Sequence, residues 1–314
     1  MLTGGIKTDS PNGALALGRI AAPGARRPRR VGDRRMTDST GKHMNIAIIG
    51  CGYVGSALGD ALSRAGHNVL GTTTRPERAD ELRALGIRPA VVMLNEVAAV
   101  ASLLGDREVV YLTIAAGRKD SDYRRVYVEG IRCLLDAASN TPVKRIIYTS
   151  STSVYGQNDG DWVDETSPTE PTSERGRLLL EAERTLLDRA EQDGIVATVL
   201  RLAGIYGPDR EPASWLARCA GQERSDGDAY LNLVHRDDIV AALIALLDVA
   251  YRGVLNLNDD TPITRGHFYD RLAAASDVAP VRWTRSTESP TLGRRVRNDL
   301  AKRTLGLVLK HPTH

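Results

Sequence analysis

Hydrophobic positions along this chain fall into two alternating rhythms. Ile46, Ala47, Ile48 and Ile49 form an apolar run too short for a helix and rich in β-branched residues, as in a strand buried on both faces. Beyond Gly50, Gly52 and Gly55, the residues Val54, Ala57, Leu58, Ala61 and Leu62 recur at helical spacing until Gly66 stops the pattern. His67–Thr72 then reads as a strand, Glu77–Leu85 as a helix, Pro89–Leu94 as a strand, Val97–Leu104 as a helix and Glu108–Ile114 as a strand. One long helix is predicted over Tyr123–Ser139, with Val126, Ile131, Leu134, Leu135 and Ala138 on one face, followed by a strand over Arg145–Ser150. Further on, Glu211–Cys219 reads as a short helix, Gly253–Leu257 as a strand and Thr264–Ala275 as a helix capped by Thr264. Thr291–Arg297 and Asn298–Leu305 form a basic, partly helical end. Strand–helix alternation at this spacing predicts an α/β fold with a doubly wound parallel sheet.

Such a sheet, of the Rossmann type, binds ligands at the carboxyl ends of its strands, where the glycine and small polar clusters of this chain fall. Gly50-Cys51-Gly52-Tyr53-Val54-Gly55 lies between a strand and a helix, the order a dinucleotide turn requires. Gly50 permits the tight turn, Gly52 lets backbone approach a pyrophosphate, and Gly55 lets the helix pack close to its strand. The second strand ends in Thr72, Thr73, Thr74 and Arg75, with no acidic residue to bind a ribose 2′-hydroxyl. Hydroxyls and a guanidinium suit a 2′-phosphate, so NADP is the expected cofactor ahead of NAD. The next strand ends in Ala115-Ala116-Gly117, a further expected cofactor contact.

Composition changes the picture mainly at the amino end. The 314 residues are 42% hydrophobic and 26% charged, as in an ordinary globular protein. Residues 1–43 hold nine Lys/Arg against three Asp/Glu; subtracting this +6 from the chain's +3 leaves −3 on residues 44–314. The basic character thus belongs to a segment expected to be a disordered extension, or to precede a true start at Met44, rather than to a nucleic-acid surface. A transit peptide or basic arm is the competing reading of that segment. No apolar run approaches the ~20 residues of a membrane span. Cys51, Cys133 and Cys219 share no metal-ligand spacing and suit a reducing compartment, so no metal site and a cytoplasmic location are expected.

Four segments in order carry a family resemblance: the glycine turn; Arg145–Gly156, with its Ser-Ser-Thr-Ser-Val-Tyr-Gly; Leu200–Pro208; and Leu233–Ile239. From Met44 onward the chain resembles the extended short-chain dehydrogenases/reductases, and within them the NAD(P)-dependent epimerase/dehydratase group. The resemblance implies that Ser151 hydrogen-bonds the reacting substrate oxygen. It also implies that Ala203, Gly204 and Ile205 border the nicotinamide, and that a smaller cap, mainly after about residue 205, closes a substrate cleft. The family uses a Tyr as acid/base and a Lys four residues later. Those positions are Arg175 and Leu179 here, while Gly176, Glu181 and Glu183 keep the register. The usual helix asparagine falls at Tyr127, and the glycine spacing is tighter than the group's usual one. The chain therefore resembles an atypical member without the Tyr–Lys pair.

Tyr155 is the candidate replacement acid, its competing reading being an aromatic packed on the sheet rim. His235 can titrate near neutrality, and Asp237 or Asp238 is expected to cap the helix running to about Leu247. Arg294, Arg295 and Arg297 face either an anionic substrate or solvent. Two functions remain open. One is an NADP-dependent oxidoreductase or epimerase-like enzyme acting on a carbonyl or sugar-type small molecule with non-standard acid/base groups. The other is a non-catalytic NADP(H)-binding sensor. Neither reading requires a membrane or nucleic acid, and a homodimer is left open.

Overall fold

A computed structural model describes residues 43–117, 120–284 and 292–312. The basic extension, apart from His43, lies outside the described residues, as does Thr291. Seven strands form one fully parallel sheet: β1 (Asn45–Ile49), β2 (Asn68–Thr73), β3 (Arg88–Val91), β4 (Val109–Leu112), β5 (Arg145–Ser151), β6 (Val196–Leu202) and β7 (Gly253–Leu257). Their order is β7-β6-β5-β4-β1-β2-β3, so the order reverses between β1 and β4. Ile46 pairs with Val69 on one side and Val109 on the other, which seats β1 in the interior of the sheet.

Alternation along the strands divides the core in two. Ile46 and Ile48 of β1 and Val109 and Tyr111 of β4 face one layer; Ala47, Ile49, Val110 and Leu112 face the other. The first layer is completed by helices α1 (Tyr53–Arg64) and α2 (Ala79–Ala84), through Leu58, Leu62 and Leu82. The second is completed by α3 (Val97–Leu104), α4 (Gly130–Ala138) and α5 (Glu174–Gln192), through Leu104, Leu134 and Leu186. A further helix, α6 (Arg236–Asp248), joins the first layer through Ile239, Leu243 and Leu246. Each fully buried aliphatic side chain contributes about 1.5–3 kcal/mol. Among the described residues, no helix is long and apolar enough to cross a membrane.

The single helix expected over Tyr123–Ser139 is a composite. Asp120–Tyr123 is α-helical, Arg124–Glu129 makes a π turn, and α4 follows. The extra residue in the wide turn brings both Tyr127 and Val128 into the core while Tyr123 stays at the cleft. A hydrophobic period cannot register one inserted residue, because apolar side chains flank it on both sides.

After β6, small paired strands and two helices carry a third apolar cluster built on Leu216, Leu233, Ile263, Phe268, Tyr269 and Val281. The strand Gly204–Tyr206 runs parallel to Leu233–His235, and the strand Gly293–Val296 pairs with Asp159–Val163. The basic end is partly helical, as expected: Gly293–Val296 is its strand and Asp299–Leu305 its helix. Thr264 caps the helix Arg265–Ala274, accepting from the His267 N–H at 3.4 Å.

Candidate functional site

The reversal between β1 and β4 opens a cleft of about 860 Å³ at the carboxyl ends of the strands. Its floor is the glycine turn. Gly50 has φ +96°, outside the range open to most side chains. Its N–H donates to Thr72 Oγ1 at 2.9 Å, and its carbonyl accepts from Thr113 Oγ1 at 2.8 Å, tying the turn to β2 and β4. A Cβ on Gly55 would fall 2.5 Å from both Gly50 O and Thr113 Oγ1, so only glycine lets α1 start this close to the strand. A Cβ on Gly52, in contrast, would meet nothing within 4 Å. The face of Gly52 is open, the room a phosphate needs to reach backbone N–H groups at a helix N-terminus. The turn therefore fits a dinucleotide.

Gly50, Cys51, Gly52, Tyr53, Val54, Thr72, Thr73, Thr74, Arg75, Ala115, Gly117, Ala203, Ile205 and Ser151 all line the cleft; Gly55, Ala116 and Gly204 do not. The Ala116 N–H donates to the hydroxyl of Tyr127, which itself lines the cleft, at 3.3 Å. Gly204 is held by the segment before the paired strand Leu233–His235, its N–H donating to Asn232 O at 2.9 Å. Cys51 offers only backbone: its thiol is buried under the turn, and burial pushes its pKa up to about 12.

At the exit of β2 the side chains divide by role. Thr72 Oγ1 serves the glycine turn, and Thr73 Oγ1 accepts from the Arg75 N–H at 3.1 Å. Thr74 and Arg75 are exposed at the cleft, and the Arg75 guanidinium has no hydrogen-bond or ion-pair partner among the described residues. A second arginine, Arg78, escaped the sequence reading. It donates to Cys51 O and, at 3.2 Å, to Ser56 Oγ, and its charge is met by Glu81 at 2.6 Å. That hydrogen bond from Arg78 lowers the Glu81 pKa. Arg78 thus braces the turn, leaving Arg75 as the cation without a hydrogen bond or ion pair, its charge felt by Glu81 only at longer range. An Arg three residues past a predicted site carries no pattern that sequence alone would reveal.

At the other end, Ser150 and Ser151 both reach the cleft from β5. Ser151 Oγ accepts from the Ser153 N–H at 3.1 Å and retains its own proton to donate. Ser150 Oγ donates to Glu183 at 2.5 Å, and Glu183 is locked to Arg201 by a buried pair at 2.7 Å. Arg175 and Leu179, one helical turn apart on α5, line the same wall, and Tyr123 lies beneath the Arg175 guanidinium at 4.9 Å.

Tyr155 requires correction as a catalytic candidate. Its side chain is 1% exposed, and its hydroxyl lies 2.9 Å from Arg201 Nη1, Asn256 Oδ1 and Asp164 O, away from the cleft. Burial raises its phenol pKa despite Arg201, so it holds its proton inside a packed network. The helix cap near the site also differs from expectation. His235 itself caps α6, its Nδ1 accepting from the Asp237 N–H at 3.2 Å, while Asp238 accepts from the N–H groups of Lys310 and His311. His235, Asp237 and His311 bring potential ligand atoms within 4.8 Å of one another, yet the two imidazoles are stacked at 3.8 Å. Stacked rings aim their in-plane lone pairs side by side rather than at one ion. Arg294 and Arg295 donate to Gln157 O and Gly160 O, Arg297 lies over Trp162, and none of the three lines the cleft.

Residues 46–257 match the NAD dependent epimerase/dehydratase family. "Protein YeeZ" of Escherichia coli K12 is 32% identical over 249 residues, covering 78% of this chain and 88% of that protein. The "3-diazoavenalumate denitrifying reductase" of a Streptomyces species is 25% identical over 300 residues, covering 86% of this chain and 97% of the reductase. Among solved structures, MoeE5 in complex with UDP-glucuronic acid and NAD is 25% identical, with a TM-score of 0.73 over 85% of this chain and 94% of that one. With the parallel sheet, the glycine turn and these matches in agreement, the chain belongs to the NAD dependent epimerase/dehydratase family.

Proposed function

We propose that this protein binds NADP(H) in the cleft and acts as an oxidoreductase or epimerase-like enzyme on a carbonyl or sugar-type substrate, with non-standard acid/base groups. The observation that carries the cofactor choice is Arg75: an exposed guanidinium at the cleft with no hydrogen bond or ion pair among the described residues, at the end of a strand whose Thr72–Arg75 exit holds no acidic residue. The nicotinamide, when bound, supplies the hydride chemistry. The chain's own part is to hold the dinucleotide on the glycine turn and polarise a carbonyl through Ser151 Oγ–H. The residues after about 205 are read as the cap that closes over the substrate. Reductase chemistry in one relative and UDP-sugar binding in another support this substrate range.

A second reading, a non-catalytic NADP(H) sensor, is favoured by Arg175 and Leu179 lining the cleft wall, at the positions where the resemblance puts the family's Tyr and Lys. Neither side chain shuttles a proton at neutral pH. Cofactor oxidation measured against a panel of aldehydes, ketones and nucleotide sugars separates the two. For an enzyme, at least one compound turns over, and Ser151→Ala lowers kcat by about 10²–10³ without weakening NADPH binding. Tight NADPH binding with no turnover anywhere in the panel favours the sensor.

A further inference from the structure

The cleft has a strap that nothing in the family's glycine turn requires. Residues 207–210 form a tight turn, the Arg210 N–H donating to Gly207 O at 2.9 Å, with Asp209 held at φ +64°. This turn comes from the far half of the chain and meets α1 at its first residue. Tyr53 Oη donates to Pro208 O at 2.7 Å across 155 residues of sequence. The Arg210 guanidinium lies 4.1 Å above the Tyr53 ring, and both side chains line the cleft. Gly207 is confined there: a Cβ would stand 3.0 Å from both Tyr53 Oη and His235 Nε2. Among the described residues the Arg210 guanidinium has no ion-pair or hydrogen-bond partner, although the Tyr53 ring fixes its position.

From this we infer that Arg210 is the cation that neutralises the dinucleotide's pyrophosphate, carried to the glycine turn by residues 207–210 and locked there by Tyr53. The inference rests on the dinucleotide reading above. Its chemistry is complementary to that of the turn. Backbone N–H groups and the start of α1 offer partial charges from below. Arg210 adds a full charge from the opposite lip, with a fork of donors suited to phosphate oxygens. The Tyr53–Pro208 bond closes the groove around whatever lies between, so the strap governs release as well as affinity.

The test is fluorescence titration of the full chain with NADPH, with adenosine 2′-monophosphate as a competing probe that lacks the pyrophosphate. Arg210→Ala is expected to weaken NADPH about tenfold and to flatten its salt dependence, leaving the adenosine probe unchanged. Arg210→Lys should recover part of the loss, because it restores charge without the fork. Tyr53→Phe keeps the ring but cuts the tie to Pro208, and should speed NADPH dissociation in stopped-flow chase experiments. Arg210→Ala binding NADPH within about twofold of wild type, or weakening both probes equally, overturns the inference alone. Absence of saturable dinucleotide binding by the wild type removes the cofactor reading and this inference with it.

Discussion

Arg75 and Arg78 stand three residues apart, yet the structure gives them opposite duties. Arg78 is spent on Cys51 O, Ser56 and Glu81, while Arg75 makes no hydrogen bond or ion pair among the described residues and feels Glu81 only at longer range. Arg75→Ala should therefore weaken NADPH by about ten- to a hundredfold and leave NADH within about twofold, as measured by parallel titrations. Equal losses for both cofactors would assign Arg75 a general structural role. Residue type was legible here because a strand exit without an acid has a direct chemical meaning. Tyr155 and His235 were not legible in the same way. Whether a phenol faces a cleft or a buried arginine depends on Arg201 and Asn256, 46 and 101 residues further along the chain. Likewise, the acidic Asp237 and Asp238 suit a helix start on propensity, but the neighbouring imidazole already occupied the capping position.

At the scale of elements, the turn from β1 into α1 is fixed by close packing of backbone on backbone and on Thr113. Gly55→Ala would drive a Cβ to within 2.5 Å of Gly50 O and Thr113 Oγ1, and backbone cannot yield there without opening the turn. The expected result is a stability loss of about 1–3 kcal/mol in urea unfolding together with loss of dinucleotide binding. Unchanged stability and binding would mean that the close approach is not needed. Strands and helices of this half were readable because burial imposes distinct periods on each, and Val97–Leu104 and Gly253–Leu257 have the expected limits. The π turn at Arg124–Glu129 was not, since it conserves the apolar face on either side of it. Its effect is local but consequential: Tyr127 becomes a buried anchor for Ala116, and Tyr123 stays beside Arg175 at the cleft.

For the whole molecule, the carboxyl end is clasped to the start of α6 around His235 and Asp238. Residues 310 and 311 bind Asp238, Tyr206 donates to His311 O at 2.6 Å, and His311 stacks on His235. Burial, and then His311 and Arg236, hold the His235 pKa below its ordinary 6.5 against the opposing pull of Asp237 and Asp238. The folded protein thus binds this proton less readily than the unfolded chain. The stabilisation is complete above about 6.5 and is lost as pH falls through the lower folded value. Protonation also removes the Nδ1 acceptor that caps α6. The Tm should drop between pH 7.5 and 5, and His235→Asn, which retains a capping oxygen without a titrating charge, should shrink that drop; an undiminished drop would place the effect elsewhere. The doubly wound topology was legible as a whole because it follows from simple alternation, whereas this long-range clasp joins residues that no local pattern connects. The strand order has one more consequence, for how the chain is made. Starting from β1, β2 and β3 extend the sheet on one flank and β4 to β7 then extend it on the other. Each strand emerging from the ribosome meets an open edge, and none must be threaded between two already joined, so the nucleotide half can assemble while the rest is still being synthesised.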